Sequence, residues 1–343
     1  MENTLTIRNI NISLKSIYIS LIALFLFSCN SDSGKLDINV DDILIEPVHI
    51  KRYGQALFNV DRSNLKPELR RLQEDYAVFI GDDIDDPINL MKVENFINDP
   101  LLIEAAEDCN NIFPDLGLLE NELTDAFKHL KYYFPDFEAP DVYTYISGFD
   151  YEYPVIYDGR MLLIALDMYL GQNYEPYKKL GVPDYRIRKF SREYITRDCI
   201  EQIAQAINSN GSKGKNMLDL MLNKGKVLYF LDAIIPGTND SIKIKYSGQQ
   251  IKWAINNEPK LWAFLIENEL LYSSDKNVEK KLLLDAPFTS YFGNGSPPRL
   301  GEWVGWKIVS RFMETNPDVE LEALFKDEDS QGILHKSGYK PEQ

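Results

Sequence analysis

The apolar positions of this chain change their period along its length, and those changes mark out its elements. Leu65, Leu69, Leu72, Tyr76 and Phe79 recur at steps of three and four, so Ser63–Ile80 is predicted to be an amphipathic helix, with Ser63 or Asn64 placed to cap it. Further helices are expected over Asp99–Asn110 and Leu116–Tyr133, the second stopped by Phe134-Pro135. At Asp141 the pattern switches. Val142–Ser147 is β-branched and aromatic, and Tyr153–Tyr157 and Met161–Leu166 follow on either side of an Asp158-Gly159 turn signal. Three strands are predicted there, the last two a hairpin. Helical periodicity then returns over Ser191–Ile207, Met217–Asp232, Gly248–Glu269 and Gly301–Glu314. Strands that adjoin in sequence, with helices segregated on both sides, predict an α+β domain, mostly helical, with a small antiparallel or mixed sheet.

One apolar stretch belongs to none of these elements. Behind Arg8 and Lys15, Ile17–Phe27 is an apolar run of 11 residues, short of the roughly 20 that a spanning helix needs. That is the layout of a secretory leader. It ends in Leu26-Phe27-Ser28-Cys29, which resembles the lipobox of bacterial lipoproteins. The resemblance implies a signal peptide over 1–28, cleavage before Cys29, and acylation of that cysteine by several chains. The polar 29–45 stretch then reads as a tether, and 46–343 as a single globular α+β domain. The expected location is the cell envelope, with the protein held by its lipid on the inner or the outer membrane and facing the periplasm.

Composition narrows the function classes. A hydrophobic content of 44% with 12% aromatic residues supports a packed core. The formal charge of -16, from 37 basic and 53 acidic side chains, disfavours nucleic acid as a partner. Beyond Cys29 the chain holds Cys109 and Cys199, both in helical sequence and expected as buried free thiols. The three histidines, His49, His129 and His335, are never four apart, so no His-Glu-x-x-His zinc site exists. Nucleophile elbows, phosphate-cradling loops and dinucleotide fingerprints are also absent from the sequence. Two acidic stretches are candidates for calcium or for plain solvated loops: Asp82–Asp86, and Asp327–Gly332, which copies half an EF-hand but carries Gly338 at the twelfth place. No cofactor or metal is expected. Aromatic stripes at Lys131–Phe137 and Lys226–Leu231 are assigned to core packing.

Several longer segments are familiar together: Lys131–Pro135, Tyr157–Gly171, Gly225–Asp232, Trp253-Ala254, Glu269–Ser273, Ala286–Phe288, Pro298–Val309 and Lys336–Pro341. In this order, behind a lipobox, they resemble the GldB family of gliding-motility lipoproteins. The resemblance implies a non-enzymatic, lipid-anchored role in gliding and the associated type IX secretion machinery, with other envelope proteins of those systems as partners. It is also similar to zinc peptidase-like proteins, in which strands precede a ligand-bearing helix. On that alignment the fold is a degenerate zincin-like one and Arg197-Asp198-Cys199-Ile200-Glu201 takes the ligand spacing. Lys224 stands where a third ligand would sit, and Arg197, Asp198, Glu201 and Lys224 become an ion-pair cluster in place of a metal, or remain ordinary exposed helix charges. Two other readings stay open. One is a hydrolase with a non-standard carboxylate site, for instance Glu302 beside Arg299. The other is a solute-binding lipoprotein that uses some of its 20 tyrosines.

Overall fold

The computed structural model describes residues 36–81, 83–208 and 214–341. Cys29, the leader, Asp82 and most of the Asn208–Gly214 loop lie outside the described residues. The first element is a three-residue strand, β1 (Ile50–Arg52), that runs straight into helix α1 (Tyr53–Phe58). Helices α2 (Leu65–Ile80), α3 (Pro87–Asn98), α4 (Pro100–Ile112) and α5 (Gly117–Tyr133) follow. The starts of α3 and α4 repeat one device. Asp86 and Asp99 accept hydrogen bonds from the backbone N–H of Ile88 and Leu101, each with proline at the first helical position, where no N–H is needed.

The sheet comes next, with β2 (Asp141–Tyr145), β3 (Val155–Tyr157) and β4 (Met161–Ala165) in the spatial order β1-β2-β4-β3. β2 pairs in parallel with both β1 and β4, while β3 pairs antiparallel with β4 as the predicted hairpin. The sheet is therefore mixed, and the mostly helical α+β class predicted from the pattern is the one observed. A parallel pair cannot be closed by a tight turn, so α1–α5 lie in the connection between β1 and β2.

After the sheet the chain is helical again: α6 (Glu175–Lys179), α7 (Asp184–Ile187), α8 (Ile195–Ile207), α9 (Met217–Ile234), α10 (Asp240–Lys243), α11 (Gly248–Glu267), α12 (Lys276–Leu283), α13 (Leu300–Thr315), α14 (Leu321–Lys326) and α15 (Ser330–Ser337). Residues Asn39–Gln343 group into one compact unit. Its centre is built in layers. Leu162 and Ile164 of β4 are buried, as are Ile195, Cys199, Ile200 and Ile203 of α8, which packs against β3 and β4. Phe230 and Leu231 of α9 and Val304 and Ile308 of α13 are buried in the next layer. A satellite cluster of Tyr53, Leu57, Leu65, Leu69, Leu72 and Ile97 serves the N-terminal helices. Cys109 and Cys199 are buried free thiols, with burial pushing both pKa values up.

Among the described glycines the closest approach of another element is at the crossing of α9 and α13, where glycine meets glycine. A Cβ on Gly305 would stand 1.8 Å from the Met221 carbonyl oxygen, and one on Gly225 would stand 2.2 Å from the Gly305 carbonyl carbon. Backbone cannot step aside as a side-chain tip can, so Gly305→Ala forces the helices apart. The expected loss lies at or above the upper end of the about 1–3 kcal/mol typical of overpacking. The control Gly248→Ala, which meets nothing within 4 Å, should leave the urea midpoint unmoved. Equal midpoints for the two variants would contradict the crossing.

The two edges of the sheet are treated differently. Outside β1, Glu120 Oε1 accepts from Ile50 N–H at 2.8 Å and Thr124 Oγ1 accepts from Val48 N–H at 2.9 Å, so α5 occupies that edge. At β3, Ala165 N–H donates to Pro154 C=O and Asp158 N–H donates to Met161 C=O. These bonds flank the pairs Val155↔Ile164 and Tyr157↔Leu162, so Val155 and Tyr157 turn their own N–H and C=O groups away from β4. Among the described residues no further strand pairs with that edge.

Candidate functional site

Helix α8 carries the charges singled out in the sequence, at spacings i, i+1 and i+4 that keep two of them on one face. Arg197 is only 1% exposed, in a helix otherwise buried through Ile195, Cys199 and Ile200. Its Nη1 donates to Asp198 Oδ1 at 3.0 Å and to Glu201 Oε2, while Nη2 donates to Glu201 Oε1 at 2.8 Å. The remaining Nε donates to the Lys243 carbonyl at 2.8 Å. Each nitrogen of this guanidinium therefore has an acceptor, the condition under which a buried arginine is tolerated. Tyr169 donates its hydroxyl to Asp198 Oδ2 at 3.0 Å.

The structure thus brings together Arg197, Asp198 and Glu201. Lys224 is exposed on α9, and its charge is a minor contributor to the ionisation of Glu201. The cation in direct contact is Lys245, with Nζ 2.7 Å from Asp198 Oδ1 and 3.6 Å from Glu201 Oε2. Burial opposes the charge on Glu201, but Arg197 and then Lys245 outweigh it and hold the carboxyl well below the usual range.

A second cluster adjoins the first. Lys189 Nζ donates to both oxygens of Asp285, at 2.7 and 2.9 Å. Arg299 Nε lies 3.4 Å from Asp285 Oδ1, Nη1 donates to Glu302 Oε2 at 2.7 Å, and Nη2 donates to the Ile244 carbonyl at 2.7 Å. Glu302 and Arg299 are thus a buried ion pair at the start of α13. Burial and the neighbouring Arg299 charge push the Lys189 amine down to about 7, against the pull of Asp285. Below both, Lys243 Nζ donates to Asp232 Oδ1 at 2.8 Å, and Trp306 Nε1 donates to Asp232 Oδ2 at 2.6 Å.

All three groups converge on Lys243–Tyr246. Two arginines hold consecutive carbonyls there, two lysines reach out on either side, and Tyr246 donates its hydroxyl to the Pro298 carbonyl. Lys245 (φ 58°) and Arg299 (φ 51°) are both left-handed, a conformation that costs a residue with a Cβ about 1–3 kcal/mol. The surrounding bonds overdetermine both. The open side of this knot is a cleft of about 240 Å³ between β3 and α8, with Val155, Asp198, Glu201, Lys189, Lys245 and Asp285 among its lining residues.

The other sequence candidates take structural duties. His129 is buried with Nδ1 2.9 Å from the Asp125 carbonyl oxygen, and His49 and His335 are exposed. Asp85 pairs with Lys66 and Arg70, and Asp86 caps α3. Asp329 caps α15 by accepting from Gly332 N–H, and Asp327 accepts from Asp329 N–H. Among the described residues no group of three or more His, Cys, Asp or Glu side chains is placed to hold a metal ion, and no helix is long and apolar enough to cross a membrane.

Against known proteins, a family model described as gliding motility protein GldB matches residues 33–341. No curated protein and no solved structure matches the chain.

Proposed function

Because the chain belongs to the gliding motility protein GldB family, which links it to the cell envelope and to gliding, we propose that it is a non-enzymatic, lipid-anchored docking protein of the gliding and type IX secretion apparatus. The match over residues 33–341 is the observation that carries this reading. Two features agree with it: an apolar leader followed by Cys29 in a lipobox-like stretch, and a domain held together by paired buried charges. In this reading residues 1–28 are removed, lipid on Cys29 holds the protein at a membrane facing the periplasm, residues 29–45 are a tether, and residues 46–343 meet other envelope polypeptides.

Clean deletion of the gene should abolish spreading of the cells on agar, and a plasmid copy should restore it. Normal spreading of the deletion strain would sink the proposal.

A further inference from the structure

The cleft between β3 and α8 is lined by charges of both signs, and its ion pairs are open to solvent in opposite senses. In the Lys189–Asp285 pair the carboxylate is the more exposed member, 29% against 11%. In the Lys245–Asp198 pair it is the lysine, 17% against 8%. Arg186 lies over the Tyr151 ring and is joined to the exposed Glu152. Four carboxylates and three cations line the space, and three charges paired with cleft or neighbouring groups, Arg197, Arg299 and Glu302, bring the formal sum to zero.

Three features set this cleft apart from an ordinary patch of surface ion pairs. The lysine that meets Asp198 belongs to a left-handed residue, a strained conformation of the kind that clusters at ligand clamps. Lys189 and Glu201 are both displaced from their ordinary ionisation, the amine down to about 7 and the carboxyl below its usual range, as groups in functional clefts are. The Gln202 carboxamide also lines the cleft and makes no hydrogen bond to any described residue, so it has donors and an acceptor to offer.

The pattern of signs selects the occupant. A purely anionic molecule meets Asp285 and Glu201, a purely cationic one meets Lys245 and Arg186, and an apolar one desolvates all four without replacing their water. A molecule with an ammonium and a carboxylate on one short skeleton answers both signs and leaves the sum at zero. The volume of about 240 Å³ lies below the roughly 300–1,000 Å³ of drug-sized pockets, which limits the skeleton to that of an amino acid or a dipeptide.

We infer that the cleft binds a small zwitterion, an amino acid or a dipeptide, with its ammonium against Asp285 and Glu201 and its carboxylate against Lys245, Arg186 and the Gln202 amide. This ligand site goes beyond the docking reading and stands or falls separately from it.

Calorimetric titration of the full chain in detergent micelles with L-alanine, L-glutamate, L-lysine and L-alanyl-L-alanine tests the site. At least one should bind with a millimolar or tighter constant, and the amino acid and dipeptide arms show which length the cleft takes. For the best binder, acetylation of its amino group and amidation of its terminal carboxyl should each weaken binding about ten-fold or more, since each removes a charge-assisted contact. Arg186→Gln should weaken the parent ligand and spare its amide, so that the gap between the two narrows. The pair with Glu152 is solvent-exposed and worth little to stability, so the unfolding midpoint should hold. Should it fall, Gln202→Ala, which breaks no hydrogen bond, decides by the same narrowing. Binding by none of the four, equal binding of the acetylated or the amidated form, or a gap that neither variant narrows overturns the inference. Any of these results beside a non-spreading deletion strain removes the ligand site and leaves the docking role standing.

Discussion

Replacing Arg197 by methionine should cost the folded domain about 3–5 kcal/mol, the range found when one partner of a buried ion pair is removed. Four acceptor oxygens lose the guanidinium at once. Asp198 Oδ1 retains Lys245 and Asp198 Oδ2 retains Tyr169, but Glu201 loses both of its arginine bonds and the Lys243 carbonyl loses its bond from Nε. The triple change Arg197→Met, Asp198→Asn, Glu201→Gln should recover part of that loss, since the abandoned carboxylates carry most of the cost. The same pairing shapes the acid limb of stability. With the folded pKa of Glu201 depressed, its contribution is complete above the ordinary value near 4.5 and disappears as pH falls through the folded value. Arg197→Met should flatten that limb. Urea midpoints measured from neutral pH down into the acid range supply both readouts, and a cost under about 1 kcal/mol at neutral pH would mean the guanidinium is solvated rather than buried.

Cys29→Ser should move the protein out of the membrane fraction altogether. A buried methylene contributes about 0.8 kcal/mol, so a single acyl chain binds a bilayer marginally and several bind it for practical purposes permanently. The substitution deletes every chain at once, and among the described residues no helix can substitute as a span. The variant should also fail to restore spreading to a deletion strain. Its folded domain should unfold at the same urea midpoint as the parent, because residue 29 precedes the first packed residues, Val40 and Val48. Continued fractionation with membranes and maturation at unchanged size would refute anchoring at this residue.

Much of the fold could be read from period alone. The long helices announce themselves because each buries one continuous face, as Leu65, Leu69 and Leu72 do in α2, and the β3–β4 hairpin because its turn is local. What escaped has a physical reason in each case. β1 has three residues and exists only because Ile50 meets Val142, some ninety positions away. α3 goes unassigned behind the acidic stretch Asp82–Asp86, although Asp86-Pro87 is the same start signal that opened α4. The candidate site divides in the same way. Arg197 and Glu201, four apart, were legible as one helix face, with Asp198 next to Arg197 in sequence. Lys189, Lys245, Asp285 and Arg299 come from four separate segments, and only the tertiary fold lays their charges beside α8. Lys224, a member of the cluster on one of the two readings and an exposed helix charge on the other, is exposed on α9, and the lysine in contact with Asp198 is Lys245.

If the chain is tethered through its N-terminal arm as proposed, the placement of β1 and β3 at opposite margins of the sheet has a mechanical meaning. A pull arriving through the N-terminal arm enters at β1, where the Glu120 and Thr124 bonds to Val48–Ile50 share it with α5. If the resisting grip is at the far margin, tension must cross β2 and β4 before it reaches β3. The sheet, small as it is, would then be the beam of the molecule, and the helices around it the bracing that keeps it from shearing.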